Sequence, residues 1–376
     1  MSEVEPFAVS LSEQALGDLH ERLRRTRWPE QPAGLGWELG VDIDYLRELC
    51  AYWLEGYDPV RLEDSLNAFP NWRWDGIHFL WERADGGGGL PVMLVHGWPG
   101  GPIEFRDVIP RLVDAGHDVI VPSLPGYAFS DAPEEPLNTA GVARRFAALM
   151  KALGYERYAL QGGDWGAAIT FQMAHLAPER VAALHLNAVS VLPAPADLSD
   201  PPLSEAEQDF IQRGVRWRNR SGHHLLLHSA APDAVSVAFN DSPAGLAGWL
   251  LEKYRVWSDC EGEVERRFSK DDLCDFFTMY WATGTIAPSL RLYWAERRDR
   301  SRLPAGERVT VPAAVADFPI DIVPAPRDWA ERLLADIRRW TEMPRGGHFA
   351  AFEEPELLSD DVIAFLGEVD SGTGQA

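Results

Sequence analysis

The chain has 376 residues, 46% of them hydrophobic, which is enough for one large domain with insertions or for two domains. Its net charge of −23 and isoelectric point near 4.8 argue against nucleic acid or an anionic membrane surface as a partner. The three cysteines, Cys50, Cys260 and Cys274, show no CxxC spacing, so they indicate neither a disulfide framework nor a zinc site.

The N-terminal segment MSEVEPFAVSLSEQ contains neither a basic stretch nor an apolar run, so we expect no signal peptide. No stretch approaches the ~20 apolar residues that span a bilayer. We therefore expect a cytoplasmic protein without a membrane anchor. Only three of the 35 basic residues are lysine, which indicates a GC-rich bacterial genome. Residues 1–75 are predicted to form a mostly helical N-terminal extension.

Strand-like patterns begin the next segment, residues 76–190. We interpret GIHFLWE and LPVMLVH as strands joined by a hairpin loop that contains the glycine run 86–89. HDVIVPSL is a continuous apolar run, which is typical of a strand buried in a parallel sheet.

Helical and strand patterns alternate in the remainder of that segment. Residues 141–154 predict an amphipathic helix that ends at a glycine, and RYALQGGD predicts the next strand. The segment after Asp164 predicts a helix, and VAALHLNA predicts another strand. Such alternation predicts an α/β fold with a mostly parallel sheet, of which residues 76–190 form the first part.

Residues 191–301 predict helices without strands, and this insertion is interpreted as a lid over the carboxyl edge of the sheet. Within it, NDSPAGLAGWLLEKYRVW has a capping residue followed by Pro243 in the first helical turn. The alternation resumes in residues 302–376, which form the second part of the core and end in a helix.

The stretch LQGGDWGAAITF has the pattern of a sharp strand-to-helix turn that exposes one residue, Asp164. Its neighbours are small: Gly162, Gly163, Gly166 and Ala167. Asp164 could instead cap the following helix, but capping does not require small residues on both sides. As a nucleophile, an ionised carboxylate needs no base, and with a strained or activated sp³ carbon it forms a stable ester.

Hydrolysis of such an ester requires donors for the oxyanion that forms on the aspartyl carbonyl. HGWPGG follows a predicted strand and would bring the backbone N–H of Trp98 beside that of Trp165. A plain turn is the alternative for the first segment, and the tryptophan side chains could simply line the pocket.

Ester hydrolysis also requires a base for water, and RGGHFAAFEEPE offers His348. This histidine occupies the last place in the chain order nucleophile, acid, histidine, although a lone histidine is often structural. Asp321 follows a predicted strand and fits the acid that orients His348. Asp317 and Glu342 are the competing acids, or are surface carboxylates.

Several motifs together closely resemble the microsomal-type and juvenile-hormone-type epoxide hydrolases: HGWPGG, GGDWG, NDSPAGLAGWLLEKY, YWATGTI, RGGHFAAFEEPE and, in the N-terminal extension, RTRWP and LNAFPNW. The resemblance covers nearly the whole chain. It implies an α/β-hydrolase fold with a mostly parallel central sheet, a helical lid and an N-terminal extension, in a soluble bacterial member. It also implies that Asp164 opens an epoxide, His348 activates water and Asp321 orients His348.

Such enzymes use two lid tyrosines to donate to the epoxide oxygen. Tyr293 corresponds to one of them, with a packed lid tyrosine as the alternative. Counting back from Asn240, the other tyrosine position falls on His224. His224 or its neighbour His223 could replace the missing tyrosine, Tyr293 could act alone, or His224 could be an exposed histidine in a variable loop.

The resemblance implies a hydrolase acting on an ether bond that converts an apolar or aromatic epoxide to a vicinal diol through an aspartyl ester. The 15 tryptophans and 16 phenylalanines are enough to line an apolar pocket, and we expect a role in natural-product biosynthesis. We expect a small-molecule epoxide and water as partners, no cofactor, no metal and no nucleic acid, and a homodimer stays open.

Two other functions remain as alternatives. A dehalogenase uses the same aspartate nucleophile, and the indole N–H of Trp165 could hold the departing halide, although Tyr293 and the N-terminal extension favour the epoxide. A non-catalytic ligand-binding protein with a hydrolase fold is the other alternative, and the set Asp164, Asp321 and His348 argues against it. A serine esterase is disfavoured because no serine occupies the elbow.

Overall fold

A computed structural model describes residues 2–189 and 191–372, which are organised around one nine-stranded sheet. The strands are β1 (Glu5–Phe7), β2 (Asn71–Trp74), β3 (Ile77–Glu82), β4 (Val92–Val95), β5 (Val119–Pro122), β6 (Tyr158–Gly162), β7 (Val181–Leu186), β8 (Ala313–Asp317) and β9 (Ile337–Glu342). Their order is β1-β2-β3-β5-β4-β6-β7-β8-β9. The strands β5, β4, β6, β7, β8 and β9 are parallel to one another. The other three are antiparallel to their neighbours: β1 to β2, β2 to β3 and β3 to β5. The predicted α/β class with a mostly parallel sheet is confirmed.

The helices fall into four groups along the chain. The N-terminal helices are α1 (Glu13–Arg24), α2 (Ile43–Glu55) and α3 (Val60–Asn67), and the first core helices are α4 (Ile109–Asp114), α5 (Thr139–Ala152) and α6 (Asp164–Leu176). The next six are α7 (Glu205–Arg220), α8 (His223–Ala230), α9 (Pro232–Asp241), α10 (Pro243–Trp257), α11 (Lys270–Thr283) and α12 (Ile286–Arg298). The last are α13 (Arg327–Glu331), α14 (Ala350–Glu353) and α15 (Pro355–Gly372).

The central strands β4, β5, β6 and β7 are buried at every position, as their continuous apolar sequences predict for strands covered on both faces. Helices α4, α6 and α15 pack against the sheet, and α5 packs against α6. Helix α5 begins where the Asn138 side chain accepts a hydrogen bond from the backbone N–H of Gly141. These layers fix the carboxyl ends of the parallel strands, from which the site is built.

The predicted hairpin between β3 and β4 is wrong, although both strands exist. β3 pairs with β2 and β5, whereas β4 lies between β5 and β6. The hairpin is instead formed by β2 and β3, whose connecting residues Asp75 and Gly76 both have positive φ angles, 48° and 75°. The glycine-rich segment 86–89 leads to the far side of β5, and Gly89 N–H donates to the carbonyl of Gly116.

Between 191 and 301, the described residues form helices and no strand, as predicted. Helix α10 begins at Ser242, whose side chain accepts from the N–H of Gly245. The N-terminal helices pack against α10 and α11 of this insertion. Trp53 Nε1 donates to Thr278 Oγ1 at 2.8 Å, and Tyr57 donates to Asp275 at 2.7 Å. The extension therefore supports the helical insertion from outside.

Among the helices of the described residues, none has the length and apolar character required to cross a membrane.

Candidate active site

Asp164 lies at a sharp turn between β6 and α6. Its φ angle is +49°, an uncommon conformation for a residue with a side chain, and a Cβ at nearby Gly166 would overlap the carbonyl of Val95. The small neighbours are therefore a steric requirement. The helix cap is Gly163, so the alternative that Asp164 serves as the cap is wrong. Its Oδ1 instead accepts a hydrogen bond of 2.8 Å from the backbone N–H of Trp98.

The segment that carries Trp98 follows β4 and is held by two tyrosines, one on α10 and one on α11. Tyr254 donates to the carbonyl of Pro99 at 3.1 Å, and the hydroxyl of Tyr280 accepts from the N–H of Gly100 at 3.0 Å. Sequence reasoning assigned neither tyrosine a role at the site, since both occur among many aromatic residues in the helical insertion. Together they fix the N–H group that points at the carboxylate.

His348 joins two carboxylates that come from different strands. Its Nδ1 lies 2.6 Å from Oδ1 of Asp321, which follows β8, and its Nε2 lies 3.4 Å from Oδ2 of Asp164. The competing acids, Asp317 and Glu342, lie opposite each other in the β8–β9 ladder. Of the three candidate acids, Asp321 is the one that contacts Nδ1 of His348, the ring nitrogen that faces away from Asp164.

The charge of His348 follows from this position. Burial alone would lower the pKa of the imidazole, but the carboxylates of Asp321 and Asp164 outweigh burial and raise the pKa to about 10. The ring is therefore a protonated ion-pair partner while both carboxylates are charged. Loss of either charge removes part of the cause and lowers this pKa.

A cavity of about 380 Å³, called here the main cavity, opens beside Asp164 and His348. Its wall is largely apolar and includes Val189, Phe210, Ile211, Leu225, Ile322 and Trp329. This volume and lining suit a small apolar molecule. The carboxylate is thus within reach of a cavity, as a nucleophile must be.

Tyr293 lines the main cavity and packs edge-on against Trp165, with ring centroids 4.7 Å apart. Trp165 follows Asp164 in the first turn of α6 and lines the same cavity. Burial, and then the charge of Asp164, raise the pKa of Tyr293 well above its ordinary value. The phenol therefore keeps its proton and is available as a donor.

His224 also lines the main cavity, and it is only 2% exposed. The interpretation of this residue as an exposed loop histidine is wrong, because it belongs to α8 and stacks on Trp98 with ring centroids 5.9 Å apart. Burial and the charge of Lys253 lower the pKa of His224 to about 2, so the imidazole is neutral. Its neighbour His223 is half-exposed and lies 3.1 Å from the Lys253 ammonium, away from the main cavity.

His228 was not singled out from the sequence, yet it lies in the same aromatic cluster. Its ring is 4.6 Å from that of Trp98 and 4.9 Å from that of Tyr293. Trp249 Nε1 donates to His228 Nε2 at 3.2 Å. The spacing of His224 and His228, one helical turn apart, is the signal that would have grouped them.

A second, much smaller cavity of about 30 Å³, called here the inner cavity, also borders Asp164 and His348. Glu104 and Asn187 line it, together with residues 95–99. Sequence reasoning missed Glu104, because a glutamate two residues after a proline ordinarily marks an exposed turn.

Within residues 2–189 and 191–372, no group of three or more His, Cys, Asp or Glu side chains is arranged to hold a metal ion.

Known proteins are similar to this chain in both sequence and architecture. The family model described as epoxide hydrolase N terminus matches residues 4–105, and the alpha/beta hydrolase fold model matches residues 91–221. A Stigmatella aurantiaca protein, provisionally named as an epoxide hydrolase, is 39% identical over 96% of this chain and 84% of its own. Epoxide hydrolase 1 of Oryctolagus cuniculus is 34% identical over 98% and 89%.

Among solved structures, juvenile hormone epoxide hydrolase of the silkworm Bombyx mori superposes with a TM-score of 0.89 at 30% identity. The match covers 99% of this chain and 96% of the silkworm chain. The fold and the extension at the N-terminus are therefore shared with this family over the full described length. The chain belongs to the microsomal-type and juvenile-hormone-type epoxide hydrolases, which have the α/β-hydrolase fold.

Proposed function

We propose that this protein converts an apolar or aromatic epoxide to a vicinal diol through a covalent ester on Asp164. The observation that carries the proposal is the contact chain from Trp98 N–H through Asp164 and His348 to Asp321, at the wall of an apolar cavity. A nucleophile, an oriented base and an oxyanion donor are the three parts that formation and hydrolysis of an ester require.

In the first step, a carboxylate oxygen of Asp164 attacks one epoxide carbon and the C–O bond on that carbon breaks. The oxygen leaves as an alkoxide, which is far more basic than a phenolate and takes a proton as it departs. Tyr293 supplies that proton, and a neutral His224 supplies a second N–H donor. Their shared position on the cavity wall and their shifted pKa values support these roles.

In the second step, water attacks the ester carbonyl carbon, and His348 takes a proton from the water. Before the first step, the charge of Asp164 helps to keep the pKa of His348 near 10. Esterification neutralises Asp164, so the pKa of His348 falls and the imidazolium gives up its proton, which replaces the one that Tyr293 donated to the alkoxide. The neutral imidazole is then a competent base only when there is an ester to hydrolyse. Trp98 N–H stabilises the oxyanion, and Asp321 holds the ring in position.

The substrate class follows from the lining of the main cavity. Its apolar side chains favour an epoxide with an aromatic or alkyl substituent over a charged one. The role in natural-product biosynthesis, the cytoplasmic location and the homodimer stay predictions from the sequence.

Incubation with styrene oxide tests the proposal directly. We expect phenylethanediol from the unmodified protein and none from Asp164→Ala, whereas Asp271→Ala, a change of an acid on the lid helix α11, should leave diol formation intact. Halide release from chlorinated alkanes in the absence of diol would instead favour the dehalogenase. Equal activity of Asp164→Ala and the unmodified protein would refute the nucleophile.

A further inference from the structure

The main cavity and the inner cavity meet at the reacting groups. Among the described residues, the two linings share only Asp164 and His348. The ester carbon and the base are therefore bordered by two separate spaces, one large and apolar and one small. The substrate occupies the first according to the proposed function, which leaves the contents of the second to be explained.

The inner cavity has the size and polarity of a water site. Its volume of about 30 Å³ exceeds the ~10–15 Å³ that a buried water requires and is too small for an aromatic epoxide. Buried water also needs two to four polar partners. Glu104, Asn187, Asp164 and His348 provide them.

The placement of Glu104 is fixed by its surroundings. It lies within a short 3₁₀ segment, Pro102–Phe105, and is only 8% exposed. Its Oε1 accepts from the N–H of Gly101 at 2.9 Å, and a Cβ at Gly100 would overlap the carboxylate. Burial of a carboxyl group costs free energy unless each oxygen has a hydrogen-bond partner. The single backbone N–H that bonds to Oε1 does not offset this cost.

Asn187 offers a complementary donor. Its side-chain oxygen accepts from Nε2 of Gln161 at 2.8 Å, which orients the amide and leaves its NH₂ group to donate. The inner cavity is thus bordered by an oriented amide donor and by the carboxyl group of Glu104.

We propose that the inner cavity holds the water that hydrolyses the Asp164 ester, and that Glu104 positions this water for attack. The inference rests on the proposed function, because it assigns the second reactant of the same site. The hydrolytic water then reaches the ester from a compartment that the substrate does not occupy, so a bound apolar product does not block it.

The step balances without any further reactant. The water oxygen bonds to the ester carbonyl carbon, one of its protons moves to Nε2 of His348, and the other stays hydrogen-bonded to Glu104. Collapse of the oxyanion breaks the C–O bond to the diol, whose oxygen takes a proton from His348. The carboxyl group of Asp164, which now contains one oxygen from water, returns its proton to His348, so the carboxylate and the imidazolium are both restored.

The protonation of Glu104 follows from its burial. Burial raises the pKa of Glu104 to about 8, the N–H of Gly101 and the charge of His348 oppose the rise, and the charge of Asp164 adds to it. Whether protonated or ionised, the carboxyl group keeps an oxygen that accepts a hydrogen bond from water.

Single-turnover kinetics with styrene oxide separates the two steps. Acid quenching and intact-protein mass spectrometry give the alkylated fraction over time. We expect Glu104→Gln, which keeps the shape of the side chain, to slow ester hydrolysis by about 10- to 100-fold and to change alkylation by less than about threefold. The alkylated protein then accumulates. Glu104→Asp shortens the side chain by one methylene and moves the carboxylate away from the water, so it should also slow hydrolysis. It replaces Glu104→Gln in this test if that variant does not fold.

Glu353→Gln is the matched control. Glu353 is also a buried glutamate whose pKa the charge of His348 lowers, but its two oxygens accept from the backbone N–H groups of Phe349 and Asp259, outside the inner cavity. It should not raise the alkylated fraction. Wild-type hydrolysis rates in both Glu104 variants, or equal slowing of both steps, would overturn the inference. Absence of any adduct, even with His348→Gln, would overturn the proposed function itself.

Discussion

His348 Nε2 lies 3.4 Å from Oδ2 of Asp164, and this contact couples the charge of the carboxylate to the basicity of the imidazole. While Asp164 is ionised, its charge acts together with that of Asp321 to hold a proton on the ring. In the proposed mechanism Asp164 becomes an ester, and only the Asp321 charge then remains. The mechanism therefore has the base activated by the formation of the intermediate that it hydrolyses.

Replacement of His348 by glutamine should separate the two chemical steps. Alkylation needs no base, whereas hydrolysis should slow by about 10²- to 10⁴-fold, so the protein accumulates with the mass of one epoxide added. Intact-protein mass spectrometry after mixing with styrene oxide measures this. The matched control is His185→Gln, another buried histidine bonded to a carboxylate, Asp361, at 3.0 Å. A variant that turns over slowly with no adduct would contradict the assigned base.

The two proposed donors should affect alkylation rather than hydrolysis. Tyr293→Phe and His224→Phe each remove a donor but keep a ring, and we expect each to slow adduct formation by about 10- to 100-fold. His224→Tyr restores the tyrosine of related enzymes and should retain alkylation. His223→Phe, which changes the neighbouring half-exposed histidine, serves as the control. Unchanged alkylation in His224→Phe would leave Tyr293 as the single donor.

Gly97→Ala should disable the nucleophile by crowding. A Cβ at Gly97 would overlap the side chain of Asp164, whereas a Cβ at Gly88 meets nothing within 4 Å. Displacement of a reacting group by about 1 Å costs about 100-fold in rate, so we expect at least that loss of alkylation in Gly97→Ala and no loss in Gly88→Ala. Equal rates for the two variants would mean that Asp164 does not react in its observed position.

The stability of the protein should fall at alkaline pH because of His348. Its pKa rises from an ordinary 6.5 to about 10 on folding, so its ion pairs stabilise the fold fully below pH 6.5, and that contribution is lost as the pH rises through 10. Glu104 and Glu353 also lower the stability as the pH rises, but at lower pH, because burial raises their pKa values from 4.5 to about 8 and about 7.

From about pH 8 to pH 10, the thiols of Cys50 and Cys274, whose pKa values burial raises, also lower the stability as the pH rises. The contribution of His348 is therefore the difference between the slopes of two proteins, and it should reach up to about 1.4 kcal/mol for each pH unit. Denaturant unfolding of the unmodified protein and of His348→Gln measures the two slopes, and the variant should show the shallower one. Identical slopes would contradict the raised pKa.

The fold was predictable wherever a segment specifies its own structure. The continuous apolar run of β5 and the one-sided apolar pattern of α5 both gave the right element. The pairing of β3 did not follow from the sequence, because β5 comes between β3 and β4 only in the folded sheet. Strand β1 was missed because three residues carry too short a pattern.

The site was predictable where chemistry requires a particular residue in a particular local setting. Asp164 stands among small residues that its turn demands, and His348 follows the last strand. Glu104 and His224 lack such local signals. Their positions beside the two cavities depend on how the lid and the segment after β4 pack, which only the folded chain defines.

The covalent ester is the central claim, and one turnover in ¹⁸O-labelled water tests it most directly. With enzyme in excess over styrene oxide, an oxygen from water should enter the carboxylate of Asp164, and mass analysis of the peptide that contains this residue should show a gain of about 2 Da. The diol from that first turnover should carry no label. Label in the diol and none in Asp164 would show direct attack of water on the epoxide and would contradict the account.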